Sequence, residues 1–132
     1  MRQKPEILHT ETLARTRLFQ VEQVDLRFAN GTETRYERLV GSSDRGAVLV
    51  VPLLEDDTVL LIREYAAGSD RYELGLPKGR IEAGEEPLRA ANREIQEEIG
   101  YAAQQLTPLG TLSVAPGYLG HMTHVVLARD LY

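Results

Sequence analysis

The chain has 132 residues, 42% apolar and 27% charged, proportions that suit one globular domain and exclude a collagen-like or disordered chain. Its formal charge of -5 comes from 20 acids against 15 bases, with lysine only at Lys4 and Lys78, so no lysine-rich run provides an electrostatic footprint for nucleic acid. Cysteine is absent, which excludes disulfides, thiolate metal sites and a cysteine nucleophile within the sequence and leaves oxygen or imidazole to hold any metal.

The first residues, MRQKPEILHTETLAR, carry no apolar run of signal-peptide length, and no stretch approaches the roughly 20 apolar residues of a membrane span. A cytoplasmic location without a membrane partner is therefore expected. Residues 18–40 read as an antiparallel hairpin turning at Asn30-Gly31, a pair that tolerates positive φ. Residues 46–54 and 58–65 are apolar, β-branched runs separated by Glu55, Asp56 and Asp57, and predict two central strands around a solvated turn. A loop with Gly68, Ser69 and Asp70 leads to YELGLPKG, and two further strands, LGTLSVAP and MTHVVLARD, follow around the turn-rich PGYLGH. The order of strands, one helix, then strands argues an α+β domain with a mixed β-sheet.

That helix is marked at both ends. Pro87 suits its first turn, where a missing N–H costs nothing, and Gly100 suits the left-handed position beyond its end, which predicts a helix over about 87–99. At 100° per residue Leu88, Ala91, Ile95 and Ile99 form one stripe, and Glu94, Glu97 and Glu98 form a neighbouring acidic arc. Carboxylates at this spacing repel by roughly 3 kcal/mol per pair at an effective dielectric near 20, and by under about 1 kcal/mol in water. A fully solvated face would tolerate that. So would hard divalent cations lodged among the carboxylates, and spacing alone leaves both readings open.

The residues upstream add to the pattern: Gly79, five residues, Glu85, seven residues, then Arg93-Glu94-Ile95-Gln96-Glu97-Glu98-Ile99-Gly100. A chance match to its seven fixed positions, Gly79, Glu85, Arg93, Glu94, Glu97, Glu98 and Gly100, is on the order of one in 10⁸ per starting point. The pattern resembles the Nudix box, with Tyr101 where an aliphatic residue usually closes it. The resemblance implies a Nudix fold whose catalytic loop-helix uses Mg²⁺ or Mn²⁺ to cleave the pyrophosphate of a nucleoside diphosphate linked to a further group. By position it makes Glu94, Glu97 and Glu98 metal ligands, helped by the backbone oxygen of Lys78, and Arg93 and Glu85 a supporting pair. Glycines at 79 and 84 would let the loop backbone approach the cations.

The similarity runs from about Pro5 to Tyr132. KPEIL, NGTETRYER, LLIREYAAGS, YELGLPKG and LARDLY resemble the ADP-compound hydrolase branch, close to the ADP-ribose pyrophosphatases, which implies ADP-ribose, NADH or adenosine dinucleotides as substrates. ADP-ribose pyrophosphatases commonly read Gln-Tyr-Arg after the strand where this chain has Glu64-Tyr65-Ala66, which favours the broader specificity. Arg63 is a candidate phosphate contact, and Tyr65, Tyr72 and Tyr118 are candidates for stacking on the adenine. The resemblance further implies a homodimer built through residues 1–40, with the Nudix core over residues 45–132 of a single domain. Enzymes of this branch usually continue through a further loop, strand and helix beyond the position of Tyr132, so a C-terminally truncated core is also expected. The competing expectation is a Nudix-fold sensor that binds ADP-ribose or a nucleotide without hydrolysis; such modules commonly lose box glutamates, and all are present here.

Overall fold

A computed structural model of the chain describes residues 2–41 and 45–132, which divide into two compact units. Residues up to 44 with 113–121 form one, and residues 45–112 with 122–132 the other.

The first unit is a three-stranded antiparallel sheet of β1 (Glu6–Arg15), β2 (Phe19–Arg27) and β3 (Glu33–Gly41), in that order. The expected hairpin is β2–β3, but its connection is a five-residue loop rather than a tight two-residue turn. Phe28 N–H donates to the Thr32 carbonyl (2.8 Å), Thr32 N–H to Asn30 Oδ1 (3.0 Å), and only Gly31 takes positive φ, at 87°. The sheet also gains β1, which the hairpin expectation lacked. All ten β1 residues are exposed, so no alternating burial pattern announces the strand, and its place is set by pairing along β2, from Glu6 opposite Arg27 to Arg15 opposite Gln20.

The second unit holds a four-stranded mixed sheet in the order β7 (Lys78–Arg80), β4 (Ala47–Pro52), β9 (Met122–Leu131), β8 (Ala103–Ser113). β4 runs antiparallel to β7 and parallel to β9, from Ala47 opposite Thr123 to Pro52 opposite Ala128. Both edges of β4 are paired, and Val48, Val50 and Pro52 are buried at every second position. Helix α1 spans Pro87–Ile99, as the capping residues require. Gly100 has φ 75°, and its N–H returns to the Gln96 carbonyl at 3.2 Å. Ala90, Ala91 and Ile95 of α1 are fully buried in one core with Val48, Val50, Ile81, Val126 and Ala128. The two alanines let the helix backbone approach the sheet closely, and each buried Val or Ile adds roughly 1.5–3 kcal/mol. Asn92 Oδ1 fastens the same helix to the start of β8 by accepting the Ala103 N–H at 2.9 Å.

Two expectations need correction. The run 58–65 is not a second central strand: β5 (Ile62–Ala66) pairs only with β6 (Arg71–Gly75) in a separate two-stranded ribbon, and Val59 and Leu61 are exposed. Its apolar residues mimic a core strand in composition, yet just one short bridge, Leu53 to Val59, links this run to the end of β4. β8 also starts six residues before the expected LGTLSVAP. Pro108 and the two glutamines mask it, and they are tolerated because β8 is an edge strand with few buried residues. Among the described residues no helix is long and apolar enough to cross a membrane.

Candidate active site

The acidic arc of α1 faces β7 and the loop that joins them, and Arg93 ties the three together. Its Nε and Nη2 donate to the two oxygens of Glu85 at 2.8 and 2.9 Å, a forked pair that carries strong directional preference. Nη2 also donates to the Arg80 carbonyl at 3.0 Å, and Nη1 to Glu94 Oε1 at 2.8 Å and Glu97 Oε2 at 3.4 Å. Glu85 Oε1 in turn accepts the Glu82 N–H at 3.0 Å. The segment from Arg80 to Glu85 is thereby closed onto the helix at both ends.

Gly79 sets the depth of this closure. A Cβ built at Gly79 would fall inside the carboxylate of Glu94, so the strand carries glycine in order to admit that side chain. The expected role of the residue was close approach of the backbone to cations, and room for Glu94 is a second demand on the same position. Gly84 serves a turn: its φ is 73°, and a Cβ there would meet open space.

The three glutamates sit at graded depths. Glu94 is 8% exposed, the one buried charged residue among those described; Glu98 is half-buried, and the Glu97 side chain is 58% exposed. Burial pushes the Glu98 carboxyl above its ordinary range against the Lys78 N–H, which donates to Oε2 at 3.2 Å, and the charges of Glu94, Glu64 and Glu97 push it further. Arg93 does the opposite to Glu85: its hydrogen bonds, with the Glu82 N–H, hold that carboxyl down at about 2.

Lys78 enters through its backbone. In β7 it lies opposite Leu49, and its N–H leaves the ladder for Glu98 while Val50 N–H bonds the neighbouring Pro77 carbonyl. Because the N–H and C=O of one strand residue leave on the same side, the Lys78 carbonyl also faces away from β4. Each of Glu94, Glu97 and Glu98 engages only one oxygen with a protein donor among the described residues. Hard oxygen donors with unused lone pairs suit a hard divalent cation. Among the described residues no three His, Asp or Glu side chains close as a finished cage.

Two acidic residues escaped sequence reasoning. Glu82 stands 3.7 Å from Arg93 Nη1, and Glu64, on β5, acts electrostatically on Glu98. Strand alternation was the available signal for Glu64, since it puts this residue on the opposite face of the ribbon from Arg63 and Tyr65. That other face brings Tyr65 opposite Tyr72 as an edge-to-face pair with ring centres 5.6 Å apart, and Arg63 opposite Leu74. Tyr65 Oη donates to Asp70 Oδ1 at 2.7 Å, and Tyr72 is 70% exposed. Tyr118 belongs to the first unit, where it lines a cleft of about 340 Å³ with Val24, Phe28 and Tyr36.

The depressed Glu85 carboxyl gives a pH test. A carboxyl whose folded pKa lies below its unfolded value stabilises the fold above the unfolded pKa, near 4.5, and loses that contribution as pH falls toward about 2. Glu85→Gln is therefore expected to cost roughly 1.5–3 kcal/mol at pH 7, with the gap to the unsubstituted protein narrowing between pH 4.5 and 2. Urea unfolding across that range measures it, and a gap independent of pH would show that the Arg93 pair adds no net stability.

A strand carrying glycine under a buried glutamate, an arginine forked onto the loop and a graded row of carboxylates on one helix define a Nudix box. The sequence profile of the NUDIX domain matches residues 44–130, and that of the NudE-type Nudix hydrolase N-terminal domain matches residues 5–38. The chain belongs to the Nudix hydrolase family. It is 52% identical over 130 residues to the ADP compounds hydrolase NudE of Escherichia coli strain K12, covering 98% of this chain and 69% of that protein. With the ADP-ribose pyrophosphatase of Bacillus subtilis strain 168 it shares 30% identity over 129 residues, 94% of this chain and 68% of that protein. A crystal structure of an ADP compounds hydrolase superimposes with a TM-score of 0.91 at 51% identity, covering 100% of this chain and 70% of that one. The Nudix fold expected from the box is the fold observed.

Proposed function

We propose that this protein hydrolyses the pyrophosphate bond of ADP-linked compounds such as ADP-ribose, NADH and adenosine dinucleotides, releasing AMP and a phosphorylated product. The observation that carries this reading is 52% identity to an ADP compounds hydrolase over nearly the whole chain with every box carboxylate in place. Glu94, Glu97, Glu98 and the Lys78 carbonyl are the groups that would hold Mg²⁺ or Mn²⁺. When bound, such a cation neutralises the diphosphate and makes water a better nucleophile at neutral pH.

The chain's own residues do the positioning. Glu85 fixes the Arg93 guanidinium, Arg93 fixes the loop and, until a cation is bound, the Glu94 carboxylate, and Gly79 lets that carboxylate lie against β7. For the ADP moiety we assign Arg63 to phosphate and the Tyr65–Tyr72 pair to the adenine; Tyr118, in the other unit, is a separate candidate for stacking. An edge-to-face pair with one ring locked by Asp70 offers the second, exposed ring for stacking. The reading includes a cytoplasmic enzyme acting as a homodimer, with residues 1–40 as the dimerisation element, a use that suits the fully exposed β1; sedimentation at micromolar concentration tests it.

The decisive experiment incubates the protein and Mg²⁺ with ADP-ribose, NADH, diadenosine polyphosphates and nucleoside triphosphates, and scores AMP by mass spectrometry. AMP from the ADP-linked compounds is the expected result. Nucleotide binding without AMP would replace the enzyme with a sensor.

A further inference from the structure

Two of the proposed cation ligands meet on one nitrogen. Arg93 Nη1 lies 2.8 Å from Glu94 Oε1 and 3.4 Å from Glu97 Oε2, while Nε and Nη2 are committed to Glu85 and to the Arg80 carbonyl. The guanidinium is planar and rigid, so the half committed to Glu85 fixes the other half, which holds one oxygen of each of two proposed ligands. A further acceptor stands beside the second half: Glu82 Oε1, 3.7 Å from Nη1, on a side chain 68% exposed.

We propose that the Nη1 arm of Arg93 is an exchangeable counter-cation. Resting on the ligand assignment above, the exchange is this: a divalent cation taken up by Glu94 and Glu97 draws both carboxylates off Nη1, and the exposed Glu82 carboxylate, 3.7 Å away, closes onto Nη1 while Glu85 keeps its hold on Nε and Nη2. Two positive groups on the same carboxylates repel at contact distance, and the ion with twice the charge and the harder match to oxygen takes the site. A monovalent cation has no such advantage over arginine, so the arm discriminates against sodium and potassium. It also relieves repulsion between Glu94 and Glu97 and thereby weakens divalent binding below what the bare carboxylates would give.

Mg²⁺ titration calorimetry on the 132-residue chain tests this. Arg93→Met, folded by its circular dichroism, is expected to bind Mg²⁺ at least about fivefold more tightly than the unsubstituted chain even though turnover falls; unchanged or weaker binding would overturn the proposal. Because losing the fork to Glu85 can unfold that variant, ¹⁵N-arginine NMR of the unsubstituted chain supplies a second readout. Saturating Mg²⁺ should shift the Arg93 Nη1 protons and leave the Nε proton near its starting position, and an Nη1 signal indifferent to Mg²⁺ also overturns it. No Mg²⁺ binding by the unsubstituted chain would instead sink the ligand assignment itself.

Discussion

Glu97→Gln is expected to lower kcat at least about a hundredfold while leaving the fold intact. The substitution keeps shape and hydrogen-bonding reach and removes only the charge that a cation requires. Glu97 is the most exposed of the three box glutamates, and its one hydrogen bond among the described residues is the long 3.4 Å bond from Arg93, so its structural role is small and stability should move by less than about 0.5 kcal/mol. Removing one of three like charges also relieves repulsion, which pushes any stability change toward the favourable side. Steady-state kinetics on ADP-ribose beside thermal melts separate the two effects. A variant with near-normal kcat would remove Glu97 from the cation site.

Gly79→Ala is expected to damage both stability and turnover, for a steric reason. The added methyl must share space with the Glu94 carboxylate, so that side chain has to swing aside and give up its buried seat and its Arg93 hydrogen bond. Glu94 is held by Arg93, α1 is locked to the sheet through Ala90, Ala91 and Ile95, and β7 is paired to β4. Overpacking of this kind costs about 1–3 kcal/mol, and a displaced Glu94 should lower kcat by roughly tenfold to a hundredfold. Urea midpoints and kcat measured together check it, and a variant matching the unsubstituted protein in both would show that Glu94 does not need this seat.

The parts of the fold that sequence reveals are those with a local cause. Pro87, Gly100 and the 3.6-residue stripe fix α1 at both ends without reference to anything distant, and the box spacing selects its glutamates, arginine and glycine together. What stayed hidden depends on neighbours. β1 has no buried face and exists through its pairing with β2. β5 looks like core by composition but is paired on one side only, within a two-stranded ribbon. The site divides along the same line. Glu82 and Glu64 belong to no motif, and they matter because folding brings their charge to Arg93 and to Glu98. The reason for Gly79 was hidden likewise, since the side chain it accommodates comes from 15 positions further along the chain.

The parallel ladder of β4 with β9, Ala47 to Pro52 against Thr123 to Ala128, bears on kinetics. Its partners are separated by nearly the entire intervening sequence of their unit, and such pairing is slow because a long loop must close before any contact rewards it. The helix can form early from local signals, whereas the core it docks on is incomplete until β9 arrives. Competence for catalysis should therefore appear with the last, slowest folding phase, well after helical ellipticity has been regained on dilution from denaturant.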